Sequence, residues 1–249
     1  MGASVLLWLV GLFVALLWIK RWLSETLHRV GILCFGSNEA AVIVYYIVLL
    51  PGVVLHECSH WVAATLLNVP TRGVSLLPQI RSRGQVQLGS VNVRRSDIIR
   101  ESLIGLAPLV SGVAVILLLA RWRFAIALPP PLKLGEIMST LVASLETPDA
   151  LLWLYLLFSI SNAMLPSEVD REPWLPALAF IAAVAAGVYL TGMLRQIPPS
   201  VGDWFLTGAR YLTFVWALAT AIDIPVLLLL LGLEKAGEVL LGRKVEYRD

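Results

Sequence analysis

The pentapeptide His56-Glu57-Cys58-Ser59-His60 has the residue types and the spacing of a metal-dependent hydrolytic site. Residues four positions apart lie on one face of a helix, so both imidazoles could bind one Zn²⁺ with Glu57 beside its open position. The structural alternative is two buried histidines held by hydrogen bonds. However, two of the chain's three histidines stand here, within an apolar run where ionisable groups are costly and usually functional. The pattern predicts His56 and His60 as zinc ligands and Glu57 as the general base.

A catalytic zinc site needs a third protein ligand, because only its fourth position belongs to water. Two carboxylates, Glu168 and Asp170, follow the fourth apolar run of the chain. The His56–His60 motif lies in the second apolar run, and one further run separates it from the fourth. If residues 133–146 are interfacial, the helices of the second and fourth runs should be parallel and end at the same leaflet. Pro166 should end the fourth helix and turn the chain inward. Asp170 is the candidate ligand, Glu168 is its rival, and a solvent-exposed loop acid is the structural alternative.

The composition is that of a polytopic membrane protein. Of the 249 residues, 58% are hydrophobic and 14% are charged, and the mean hydropathy is +0.82. Soluble domains have roughly 45–50% apolar and about 25% charged residues. The net charge of +2 gives no basic field for nucleic acid, so we expect no nucleic-acid partner. Two cysteines, Cys34 and Cys58, do not suggest a disulfide framework.

Six apolar runs are candidate membrane spans, each of which needs about 20 residues. The fourth of them is short. The predicted fold is an all-α polytopic membrane protein of about six transmembrane helices. The first run has no basic leader or cleavage site and is interpreted as a retained helix. The last run is interrupted by Asp223 and Pro225. Asp223 is either a gating or substrate-contact acid or the cap of a second helix. The runs are Ala3–Ile19, Ala40–Leu67, Ser102–Ala120, Ala150–Pro166, Trp174–Leu194 and Tyr211–Leu233.

The segment 70–95, between the second and third runs, has the pattern of a small β-hairpin. A turn at residues 81–84 precedes residues 85–93, which alternate apolar and polar side chains. Ser96-Asp97 should cap the following helix. The surrounding loop, 70–101, is rich in arginine, which the positive-inside rule places in the cytoplasm together with both termini. Its arginines are Arg72, Arg81, Arg83, Arg94, Arg95 and Arg100; Lys20, Arg21 and Arg29 oppose this orientation.

The chain therefore divides into three segments. Residues 1–39 form an N-terminal transmembrane helix and its connection. Residues 40–172 form a metalloprotease-like core: the motif helix, the hairpin loop 70–95, a helix at 97–120 and a short helix at 150–166 that leads to Asp170. Residues 173–249 form the C-terminal transmembrane helices and a basic tail.

The core segment resembles the site-2 proteases, which are intramembrane zinc metalloproteases. The resemblance rests on four features: the His56–His60 motif followed by Ala64, the hairpin, the stretch Gly105-Leu-Ala-Pro108-Leu, which is similar to the family's Gly-Pro helix start, and the eight-residue spacing of Asn162 and Asp170. This sequence has Ser59 where the family usually has glycine, has Asp170-Arg171 for Asp-Gly, and has Pro166 displaced by one residue. It resembles a minimal family member without a PDZ-like domain.

The resemblance implies a Zn²⁺ cofactor with His56, His60 and Asp170 as ligands, Glu57 as general base and Asn162 as a substrate-positioning residue. The family spacing favours Asp170 over Glu168. The expected function is hydrolysis of peptide bonds in or near membrane-spanning segments of a substrate protein, in the cell (inner or plasma) membrane. The main alternative is a proteolytically silent accessory or structural subunit of a membrane complex. A third alternative is a membrane metallohydrolase acting on a lipid or prenylated peptide.

Overall fold

A computed structural model gives the architecture of the chain. It describes residues 2–76, 78–80, 86–126, 145–191 and 198–242, with isolated positions between 135 and 143. Seven helices are described in these ranges. They are α1 (Gly2–Phe35), α2 (Asn38–Leu66), α3 (Ile98–Trp122), α4 (Ala150–Ala163), α5 (Glu168–Arg171), α6 (Trp174–Leu190) and α7 (Pro199–Leu241). The predicted mostly helical membrane fold is confirmed in this coarse form.

Four helices, α1, α2, α3 and α7, are long and apolar enough to cross a membrane. The helix α4 has 14 residues and α6 has 17, which at about 1.5 Å per residue is less than the roughly 30 Å of a hydrocarbon core. The count of six spans therefore stays a prediction for these two helices. Half of the stretch 133–146, which is predicted to be interfacial, lies outside the described residues.

The outer helices α1 and α7 are longer than the apolar runs that predict them. The first helix continues past Lys20 to Phe35, because lysine and arginine are good helix formers and Arg21 pairs with Glu25 one turn later, N to O 2.8 Å. The last helix is continuous from Pro199 to Leu241, so Asp223 does not cap a second helix and Pro225 lies inside one. Hydropathy identifies only the apolar part of each helix. Both helices continue beyond that part into more polar sequence.

The long helices α1 and α7 pack along each other. Leu16, Leu23 and Leu27 of α1 are buried in the same apolar core as the middle of α7. Toward the other end of the pair, Arg29 of α1 and Glu234 of α7 form an ion pair with an N–O distance of 2.6 Å. The N-terminal and C-terminal segments of the chain therefore form one helix pair.

The predicted hairpin is confirmed as a pair of antiparallel ladders. Strand β1 (Thr71–Ser75) pairs with β4 (Ser90–Val93), and β2 (Gln79–Ile80) pairs with β3 (Val86–Gln87). The register shifts between Thr71 and Val74, where Gly73 has a φ of +130° that favours glycine. Residues 81–85, which include the predicted turn at 81–84, lie outside the described part of the chain. The side chain of Asp97 caps α3 by accepting from the Arg100 N–H, as the sequence predicts.

Candidate metal centre

The helices α2 and α4 run parallel and in close contact, as the sequence predicts. Gly52 N–H donates to the Ser159 hydroxyl at 2.9 Å, and a methyl group at Gly52 would lie only 2.1 Å from the Ser159 carbonyl oxygen. One turn further on, His56 approaches the end of α4 at Ala163. The glycine permits the close approach that brings the motif helix beside the C-terminal end of α4.

Three predicted ligand side chains meet at this end of the two helices. His56 and His60 come from α2, and Asp170 comes from the short helix α5. The two Nε2 atoms are 3.1 Å apart, and the carboxylate oxygens of Asp170 lie 3.0 Å from Nε2 of His60 and 3.5 Å from Nε2 of His56. One ligand atom from each of the three residues lies within 4.8 Å of the others.

Main-chain carbonyls determine how both imidazoles are oriented. Nδ1 of His56 lies 2.7 Å from the Ala163 carbonyl, and Nδ1 of His60 lies 2.9 Å from the Ile104 carbonyl. A carbonyl oxygen only accepts, so both Nδ1 atoms carry hydrogen, and in the neutral rings both Nε2 atoms keep a lone pair. Both lone pairs then point at Asp170. This arrangement of acceptors facing one another fits a bound cation.

Each of these carbonyls is free for a specific structural reason. Ala163 is the last residue of α4, and the last four carbonyls of a helix have no intrahelical partner. Ile104 lies inside α3, four residues before Pro108, which has no N–H to donate. A proline inside an apolar run is a sequence signal for such a free carbonyl.

A turn of helix after Pro166 holds Asp170. The sequence predicts a partly extended segment here, but the chain forms α5, in which Ser167 is the N-cap and Asp170 completes a capping box. The N–H of Ser167 donates to Oδ2 of Asp170 at 2.7 Å. The side chain of the rival ligand, Glu168, lies outside the described residues.

The backbone of α3 also approaches Asp170. A methyl group at Gly105 would lie 2.4 Å from the Asp170 carbonyl oxygen. Gly105 and Pro108, which resemble a helix start in the sequence, lie inside α3, since that helix begins at Ile98. In the structure, Gly105 packs closely against the backbone of Asp170, and Pro108 leaves the Ile104 carbonyl free.

Glu57 lies beside the three candidate ligands and under the hairpin. Its side chain is buried, and a methyl group at Gly89 would come within 2.8 Å of its Cγ and Oε1 atoms. Gly89 precedes β4, so the hairpin covers the predicted general base directly. The sequence does not predict this contact, because alternation predicts a strand but not what the strand packs against.

Asn162 is not part of this group of side chains. It is buried, and its Nδ2 donates to the Phe158 carbonyl at 2.9 Å and to Oδ1 of Asp223 at 2.8 Å. Asp223, which the sequence leaves as either a gating acid or a helix cap, is fully buried at this contact. The structure therefore joins Asn162, in the last turn of α4, to Asp223 of α7.

No family model, no curated protein and no solved structure matches this chain.

Proposed function

We propose that this protein is an intramembrane zinc metalloprotease that hydrolyses peptide bonds in or near membrane-spanning segments of other proteins. One observation carries the proposal. Two imidazoles, both held with a lone pair inward, face the Asp170 carboxylate beside the buried Glu57. A catalytic zinc centre uses three such protein ligands and leaves one position open. The resemblance of the motif residues to the site-2 proteases supports the same activity.

The donor set fits zinc by its chemistry. His56, His60 and Asp170 would hold the ion, and imidazole nitrogen with carboxylate oxygen is a usual combination for Zn²⁺. Second-shell carbonyls that accept from the distal imidazole nitrogens are typical of zinc-binding histidines. When bound, the ion would act as a Lewis acid toward water and toward the substrate carbonyl.

Glu57 would do the proton transfer. Its carboxylate would accept a proton from the attacking water and return it to the leaving amine, a role typically worth 10²–10⁴-fold in rate. Its burial under Gly89 excludes bulk water from the carboxylate and limits its movement. The adjacent hairpin supports a second role. A substrate helix must unwind before attack, and strand β4 begins next to Glu57, so an unwound segment could add to the hairpin edge as a strand.

Zinc analysis of the purified protein, combined with a cleavage assay, tests the proposal. The test substrate is a single-span protein with a central Asn-Pro pair that weakens its helix, and an uninterrupted leucine helix is the matched substrate. We expect stoichiometric zinc and cleavage of the first substrate only. Glu57→Gln should keep zinc and lose cleavage, and His56→Ala should lose both.

Two results would contradict the proposal. A wild-type protein that takes up no zinc from a zinc-supplemented buffer would exclude the metal centre. Full zinc occupancy with no cleavage of either substrate would favour the accessory-subunit alternative instead.

A further inference from the structure

Asp223 has a buried position that the proposed chemistry does not explain. It lies in the spanning helix α7 with 0% of its surface exposed, and its Oδ1 accepts the 2.8 Å hydrogen bond from Asn162. Its Oδ2 and the Oδ1 of Asn162 have no hydrogen-bond partner among the described residues. A carboxylate inside a membrane is costly and is retained where it has a task.

The hydrogen bond between Asn162 and Asp223 joins α4 to α7. Lys20 of α1 lies on the same side of that helix as the buried Leu16 and Leu23, which pack in the apolar core that α1 shares with α7. We refer to Asn162 and Asp223 as the intramembrane polar cluster.

The cluster is connected to the metal centre through the last turn of α4. Asn162 precedes Ala163, whose carbonyl accepts the hydrogen bond from Nδ1 of His56 at 2.7 Å. The Asn162 amide also donates to the Phe158 carbonyl one turn earlier, so it closes that turn and ties it to α7. Helix ends fray unless such bonds hold them. Movement of this turn would move the carbonyl that orients His56.

We propose that Asp223 is a positioning residue of the metal centre. It acts through Asn162 to hold the last turn of α4, so that the Ala163 carbonyl keeps Nε2 of His56 directed at Asp170. The expected effect of Asp223 on zinc affinity rests on the proposed function. The expected effect on the orientation of His56 does not rest on it, because that orientation is measured in the metal-free protein.

Histidine-selective ¹⁵N labelling tests the orientation, because the chain has only three histidines. In metal-free wild type, above the pH range in which imidazole protonates, we expect His56 to carry hydrogen on Nδ1 alone. Asp223→Leu should produce a mixture of Nδ1-H and Nε2-H forms. Asp223→Asn keeps an acceptor oxygen for the Asn162 amide and should retain the wild-type form. If Asp223→Leu does not fold, Asp223→Ser is also too short to reach Asn162 and makes the same comparison.

Glu234→Gln is the matched control for helix packing. It removes the ion pair of Glu234 with Arg29, which links α1 and α7, and no contact of Glu234 with α4 is found among the described residues. It should leave the His56 signals unchanged. Zinc titration should show about tenfold weaker binding for Asp223→Leu, which is the lower end of the loss expected when a hydrogen-bond partner behind a metal ligand is removed. Asp223→Asn and Glu234→Gln should bind zinc as tightly as the wild type.

Two outcomes would overturn the inference: unchanged His56 signals in Asp223→Leu or Asp223→Ser, or an equal change in Glu234→Gln. A wild type that binds no zinc would instead contradict the proposed function. The ¹⁵N comparison would still decide the role of Asp223.

Discussion

The Nδ1 atom of His60 lies 2.9 Å from the carbonyl oxygen of Ile104, a contact between two membrane helices. The carbonyl is free because Pro108 stands where its intrahelical donor would be. The same arrangement occurs once more in the described part of the chain. Pro51 leaves the Ile47 carbonyl of α2 free, and the Tyr155 hydroxyl donates to it at 3.2 Å. These prolines supply acceptors in the membrane, where free main-chain groups must find partners.

Pro108→Ala should weaken metal binding. The new N–H at position 108 can donate to the Ile104 carbonyl and so compete with His60. We expect zinc affinity to fall about tenfold, within the range known for loss of a hydrogen-bond partner behind a metal-binding histidine. Isothermal titration of the purified variant with zinc measures it.

Pro51→Ala is the matched control for Pro108→Ala. It restores an N–H inside a spanning helix in the same way, but the carbonyl that it affects serves Tyr155. Its zinc affinity should equal that of the wild type. Equal losses in both variants would mean that general helix straightening, and not the His60 contact, sets the affinity.

Gly89→Ala should separate metal binding from proton transfer. The new methyl group would lie 2.8 Å from Cγ and Oε1 of Glu57, so the carboxyl group must move, whereas no contact of Gly89 with the three candidate ligands is described. We expect wild-type zinc content with cleavage lowered by 10²-fold or more, the lower limit of what general acid–base catalysis contributes. Elemental analysis and the cleavage assay measure the two quantities. The neighbouring Ser90→Ala should change neither, and a loss of zinc in Gly89→Ala would contradict the separation.

The sequence predicts the helical fold, the hairpin and the grouping of the two histidines with Asp170. The fold and the position of the two histidines follow from short-range periodicity, from the i, i+4 spacing of the motif, and from the number of runs between the two helices. The choice of Asp170 over Glu168 comes from the resemblance to the site-2 proteases. The structure brings the three side chains together, and the metal itself stays a prediction. The composition indicates a membrane protein. The four longest helices are long and apolar enough to cross a membrane, which agrees with that prediction.

The parts that the sequence does not predict depend on contacts between distant segments. Continuity of α7 through Asp223 and Pro225 depends on packing against α1 and α4, which stabilises the helix beyond its local propensity. The Asn162–Asp223 bond joins residues 61 positions apart. No period or motif connects them, so a single sequence gives no signal for the contact.

Cysteine labelling measures the predicted orientation of the loop 70–101. Both native cysteines, Cys34 and Cys58, are exposed and must first be replaced. Asn92→Cys, an exposed site on β4, should then react with an impermeant thiol reagent only from the cytoplasmic side. Glu39→Cys, at the other end of α2, should react only from the opposite side. The reverse pattern would invert the topology and leave the metal centre unaffected, because α2 and α4 stay parallel in either orientation.

Gly105→Ala should displace Asp170 and so lower stability and metal affinity together. The added methyl group would meet the Asp170 carbonyl oxygen at 2.4 Å, and a main-chain atom cannot rotate away as a side chain can. Overpacking of this kind typically costs about 1–3 kcal/mol, and here the strain falls on the short helix that carries the carboxylate. Thermal unfolding in detergent, without and with zinc, measures both effects: the variant should melt at a lower temperature and gain less from zinc. Gly232→Ala is the control in α7, since nothing lies within 4 Å of the added methyl group. It should melt at or above the wild-type temperature, because alanine replaces glycine favourably in a helix. A Gly105→Ala protein that gains as much from zinc as the wild type would show that Asp170 is not held by this contact.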